Sequence, residues 1–145
     1  MKASFWAMLL ATLFVLPACQ KDDDDDAAQP LDPTLKSELV GEWNITSFKL
    51  DSFEYMQVIV ESSVIRFDAY TGAKGSYRHE IEYADGELEM LTGEYSVDEA
   101  ARELHMALFH DTRTVFLEIS NDGKRMYWSG EQDGYPLTVR AERIK

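Results

Sequence analysis

Residues 35–145 predict an all-β domain, an eight-stranded antiparallel up-and-down barrel behind a short N-terminal helix. Three observations predict it. Apolar and polar residues alternate with period two in eight separate segments, the pattern of strands with one buried face. Glycine-bearing turn sequences stand between those segments. Strand plus turn repeats about every 14 residues, which leaves room only for short connections.

The elements follow in chain order. Asp32-Pro33 reads as a helix start, with Asp as N-cap and Pro at the first helical position. A short helix over 34–40 places Leu35 and Leu39 on one face, and Gly41 stops it. Strands are then expected around Trp43–Phe48, Ile65–Tyr70, Tyr77–Tyr83, Gly93–Val97, Leu104–Phe109, Val115–Ile119, Arg125–Trp128 and Leu137–Arg143. Thr71-Gly72, Asp85-Gly86, Asn121-Asp122-Gly123 and Asp133-Gly134 supply the turns, where glycine adopts positive φ without strain. Phe53–Ser62 is apolar without a clean period and fits a strand, a helix or a lid. Asp98–Arg102 has helix-favouring residues, but β-type patterning on both sides makes it a wide turn.

A barrel of eight strands has an interior just wide enough to be filled by side chains or to hold one small ligand. The inward positions are bulky: Phe67, Tyr77, Tyr83, Tyr95, Met106, Leu117, Met126 and Trp128. One reading is a filled core. The other is a pocket at the open end, lined by aromatics and Met with polar tips such as His79 and Tyr95. The candidate ligand-binding residues are Phe67, Tyr77, His79, Tyr95, Met106 and Trp128. Tyr70, Phe109, Phe116 and Tyr127 alternate outward, where they suit contact with a partner.

Charge divides the chain into three regions, 1–18, 19–34 and 35–145. The whole carries a formal charge of −13, which argues against a nucleic-acid partner. Residues 1–18 hold Lys2 and no acid, and Ala3–Leu16 is nearly all apolar. Those 14 residues span about 21 Å as a helix, short of a ~30 Å hydrocarbon core. They read as a signal peptide rather than a membrane span. Residues 19–34 hold Lys21 against six Asp, five of them consecutive at 22–26. Adjacent carboxylates repel, so this segment reads as an extended, solvated tether. The single Cys19 excludes an internal disulfide.

Leu16-Pro17-Ala18-Cys19 resembles the bacterial lipobox, in which a small residue precedes the cysteine that is lipidated. The resemblance implies that Cys19 carries the acyl chains and becomes the mature N-terminus, anchoring the protein to a membrane. Gln20-Lys21 followed by acids resembles the signal that sends lipoproteins to the surface of some Gram-negative bacteria. It implies an outer-membrane, cell-surface location, with the periplasmic face of that membrane as the alternative.

Leu39-Val40-Gly41-Glu42-Trp43 resembles the Gly-x-Trp signature of lipocalins, and more closely the small lipocalin-like domains of bacterial lipoproteins. The resemblance covers roughly residues 35–145. It implies that Trp43 plugs the barrel base beneath a basic residue of the last strand. Arg143, in phase with Val139 and Ala141, is the candidate, with Arg140 the alternative if the register slips by one. The domain is shorter than secreted lipocalins and lacks their disulfides.

Little in the sequence points to catalysis. His105 and His110 fall on opposite strand faces and cannot share a metal without a bulge. Glu80/Glu82 and Glu87/Glu89 are same-face carboxylate pairs, common on acidic β-surfaces. No nucleophile elbow, phosphate loop or metal-ligand spacing occurs. The expectation is a non-enzymatic lipoprotein with no cofactor or metal that binds a small apolar or amphipathic ligand. The alternative is an accessory module with a filled barrel that contacts another envelope protein or a glycan.

Overall fold

A computed structural model describes residues 34–108 and 111–144 of the protein. Residues 1–33, on which the expected signal peptide, Cys19 and nearly all of the expected tether fall, lie outside the described residues, as do Phe109, His110 and the side chains of Leu108 and Asp111. A helix, α1 (Leu35–Leu39), precedes nine strands: β1 (Gly41–Leu50), β2 (Phe53–Glu54), β3 (Val60–Phe67), β4 (Gly75–Tyr83), β5 (Leu88–Asp98), β6 (Glu103–Leu108), β7 (Asp111–Ile119), β8 (Arg125–Gln132) and β9 (Tyr135–Arg143). Every strand pairs antiparallel with its neighbour, and β1 pairs with both β3 and β9. β2 is a two-residue spur on the end of β1. The eight long strands therefore close into an up-and-down barrel with no free edge among them, as the alternation predicts.

The turns form where the sequence places them. Asp133 and Gly134 both have positive φ and join β8 to β9 through a two-residue hairpin. Asp98–Arg102 is a turn and not a helix. The Asp98 carboxylate accepts from the amides of Ala100 and Ala101, and a positive φ of 56° at Arg102 turns the chain back so that Glu103 pairs with Asp98. The helix start is corrected by two residues. Thr34 is the N-cap, and Ser37 completes a capping box with it. The Glu99 carboxylate also accepts from the Leu35 and Lys36 amides, at 3.0 and 2.9 Å, tying α1 to the β5–β6 turn.

The unpatterned stretch Phe53–Ser62 divides: Val60–Ser62 open β3, and the chain before them, from Asp51, is a strap. After β2 it runs irregularly to Ile59 before β3 begins. It is held to β9 by the Asp51 amide on the Pro136 carbonyl at 2.7 Å. On the far side, the Ala84 amide donates to the Ile59 carbonyl at 2.9 Å.

The two barrel ends differ. At the end covered by α1, Trp43, Phe67, Tyr77, Tyr95, Leu104, Leu117 and Met126 are buried and fill the interior. The opposite end carries the strap and the β4–β5 and β8–β9 turns. There smaller or polar side chains, Ser63, His79, Val115 and Val139, stand among the larger apolar ones. That difference in side-chain volume leaves one half of the barrel packed and the other half hollow.

A candidate ligand cavity at the open end

The hollow is a cavity of about 350 Å³. All eight barrel strands contribute to its wall, and Tyr55, Met56 and Ile59 of the strap form part of its rim. The lining is mostly aliphatic and aromatic, with Ile45, Phe48, Ile81, Leu91, Met106, Val139 and Trp128 among the wall residues. Ile59 and Glu89 at the rim are solvent-exposed, so the cavity opens at this end. Among the described residues no three His, Cys, Asp or Glu side chains come together as a cation site.

Polar groups interrupt the apolar wall at a few points. The Ser63 hydroxyl and His79 Nε2 lie 2.7 Å apart, each the other's hydrogen-bond partner. Burial pushes the His79 imidazole down to about 4, against the opposing pull of the Glu89 carboxylate. The ring is therefore neutral near pH 7. On the rim the Tyr83 hydroxyl donates to Glu89 Oε2 at 2.5 Å. That bond, with burial and the nearby acids, pushes the phenol up to about 12. On the β7–β8 wall, Arg113 Nη1 donates to Gln132 Oε1 at 2.8 Å. The Trp128 indole N–H is buried and has no acceptor among the described residues.

Glu54 organises the strap. Its carboxylate accepts from the Ser47 hydroxyl at 2.6 Å, the Phe48 amide at 2.8 Å and the Met56 amide at 3.1 Å. Burial pushes its carboxyl up, but these three donors outweigh that effect and hold it below the ordinary carboxylate range. Phe48, Tyr55 and Phe53 pack edge-to-face beside it, with centroids 5.3 and 4.8 Å apart.

Of the six candidate ligand residues, His79, Met106 and Trp128 line the cavity. Phe67, Tyr77 and Tyr95 do not; they belong to the packed half beneath it. Tyr95 lies against Gly75, and its hydroxyl donates to the Asp68 carbonyl at 2.6 Å. Tyr77 lies against Gly93, and its hydroxyl donates to the Ala107 carbonyl at 3.2 Å. Glycines in the facing strand let both rings lie across the barrel, and Phe67 packs edge-on to Tyr95 at 5.0 Å. Burial holds both phenols up at about 12.

The outward set is corrected as well. Tyr70 packs against the core, edge-on to Tyr95 at 5.3 Å, and its oxygen accepts from the Val97 amide at 2.6 Å. It sits in the β3–β4 connection, where strand alternation no longer applies. Phe116 is exposed as expected, and Tyr127 is half-buried. His105 faces outward onto Thr114, and Glu103 lies 3.7 Å from its ring.

Sequence reading missed Ser63, Arg113 and Gln132. Two of them carried a signal. Ser63 is in phase with Ile65 and Phe67, and Arg113 with Val115 and Leu117, so extending each strand by one repeat turns both inward.

At the base, Arg143 rather than Arg140 lies over Trp43, with its guanidinium carbon 4.2 Å from the ring centroid. The Trp43 indole N–H donates to the Leu39 carbonyl at 2.8 Å, which closes α1 onto the barrel floor.

No protein-family model and no curated protein matches the chain. Solved structures do share its fold. A redesigned beta barrel matches with a TM-score of 0.58 at 13% identity, covering 76% of this chain and 95% of that one. A de novo designed fluorescence-activating beta barrel matches with a TM-score of 0.55 at 13% identity, covering 77% and 98%. The redesigned barrel mFAP1, solved bound to DFHBI, matches with a TM-score of 0.52 at 15% identity, covering 77% and 100%. At such identities the likeness establishes the barrel fold.

Proposed function

We propose that this protein is a lipid-anchored cell-envelope lipoprotein whose lipocalin-like barrel takes one small apolar or amphipathic molecule into the cavity at its open end. The cavity carries the reading. Its volume of about 350 Å³ falls within the range of small-molecule pockets, and its wall is apolar with a few convergent polar groups. Water gains few hydrogen bonds against such a wall, so an apolar occupant replaces it favourably. A barrel of the same architecture is solved with the small molecule DFHBI bound. This role requires only burial and orientation, with no reacting group.

Native mass spectrometry of the protein isolated from its host membranes tests the cavity reading. A bound small molecule is expected. A bare polypeptide mass, together with unchanged tryptophan fluorescence across a panel of amphipaths, refutes it. The anchor is tested by Cys19→Ala, which should move the protein out of the membrane fraction; retention there refutes lipidation at Cys19.

A second reading, contact with another envelope protein, is favoured by one observation. Phe53, Val58, Leu88 and Tyr135 are exposed large apolar side chains around the open end.

A further inference from the structure

Resting on the ligand-binding reading, we propose that the cavity selects an anionic amphipath: an apolar body in the barrel and a carboxylate head on the Arg113 guanidinium. Arg113 is a half-buried cation in the wall of a mostly apolar cavity. A guanidinium has five N–H donors and no acceptor, so it calls for anionic or strongly polar partners. The side-chain bond found for it is to the neutral amide oxygen of Gln132. Among the described side chains no carboxylate comes within ion-pair distance of it, although Arg66, Arg78 and Lys74 each have such a partner.

The other ionisable groups of the wall do not offer the same recognition. Glu89 is an anion already engaged by the Tyr83 hydroxyl at the exposed rim. His79 is bound to Ser63 on the β3–β4 wall. Arg113 is therefore the one guanidinium of the wall, and its described partner is a neutral amide. A carboxylate presents two oxygens in the geometry of the guanidinium fork, and apolar surroundings strengthen that pair relative to water. Attraction of anions to the molecule as a whole does not explain such selection, because the chain carries a formal charge of −13. The preference has to arise from this local contact.

The test compares decanoate, 1-decanol and decylamine by calorimetry on the purified protein, wild type, Arg113→Gln and Arg113→Lys. Wild type should bind decanoate about tenfold or more tightly than decanol, the usual scale of a charge-assisted pair. Arg113→Gln should abolish that preference while keeping its affinity for decanol, which shows that its cavity is intact. Arg113→Lys should retain part of it. Equal binding of decanoate and decanol by wild type overturns the head-group assignment and leaves the ligand cavity standing. A preference for decylamine overturns it in favour of Glu89. An anion preference that survives in Arg113→Gln overturns the role of Arg113. Binding of none of the three overturns the cavity reading itself.

Discussion

Arg143 lies over Trp43, 4.2 Å from guanidinium carbon to ring centroid, and ties the end of α1 and the β7–β8 turn to the barrel floor. Its Nε donates to the Gly123 carbonyl at 2.6 Å, Nη1 to the Val40 carbonyl at 2.9 Å, and Nη2 to the Glu38 carbonyl. Those carbonyls belong to the β7–β8 turn and to the end of α1. Removing the side chain takes away the cation–π contact and leaves three acceptors without their donor. Arg143→Ala should cost about 2–4 kcal/mol in urea denaturation. Arg143→Lys should recover only part of that, because an ammonium cannot span the same three oxygens. A loss within the error of the measurement would show that the floor is held by α1 packing alone.

The two barrel halves should respond differently to truncation. Leu117 is fully buried in the packed half, so Leu117→Ala should cost about 2–5 kcal/mol through lost contacts and a new void. Leu91 lines a cavity that already exists. Leu91→Ala should cost about 1 kcal/mol or less, since it widens a space instead of creating one. Equal losses in chemical denaturation would mean that the upper half is as tightly packed as the lower.

Two glycines act as sockets for tyrosines. A Cβ at Gly93 would overlap the Ala107 carbonyl, a backbone atom that cannot rotate away, and would press on the Tyr77 ring. Gly93→Ala should destabilise by about 3 kcal/mol or more, read as a fall in Tm. At Gly75 the overlap is with the Tyr95 ring. The double variant Gly75→Ala/Tyr95→Leu should therefore be more stable than Gly75→Ala alone. If it is not, the damage at Gly75 lies in the backbone rather than in the ring.

His79 gives stability an acid limb. Burial holds its folded-state pKa down at about 4, whereas an unfolded imidazole titrates near 6.5. Between those values the unfolded chain binds the proton and the folded one does not, so stability falls as pH drops through that window. The contribution is complete above about pH 6.5 and largely gone near pH 4, a change of up to about 3 kcal/mol. His79→Gln should flatten this limb in urea melts at pH 7 and pH 4.5. An unchanged slope would assign the acid sensitivity to other groups.

Glu54 sets the order of the cavity rim. Its carboxyl is held low by the Ser47, Phe48 and Met56 donors, so its contribution is present at neutral pH and lost as pH falls through its depressed pKa. Glu54→Ala should raise amide hydrogen exchange across 55–59 by an order of magnitude or more, with little change in β5–β7. Uniform protection along the strap would refute its anchoring role.

Strand existence and direction were legible in the sequence because period-two alternation reports directly on a half-buried ribbon. The turns were legible because positive φ leaves glycine, asparagine or aspartate as the economical choice. Gly41, Trp43 and Arg143 come from a resemblance, and the same-face phase of Arg143 with Val139 and Ala141 turns it inward. Alternation specifies a face but not a depth. That is why Phe67, Tyr77 and Tyr95 read equally as pocket wall and as core. Only the tertiary structure decided it, because Gly75 and Gly93 face the rings across a strand pair, and Ser63, Val115 and Val139 leave the other end empty. The strap of 51–59 was illegible for a related reason. Its order comes from Glu54, Pro136 and Ala84, bonds to distant or irregular backbone that no local period records. The amino-acid order thus determined the closed ribbon and its inward face, while three-dimensional packing determined how far the interior was filled.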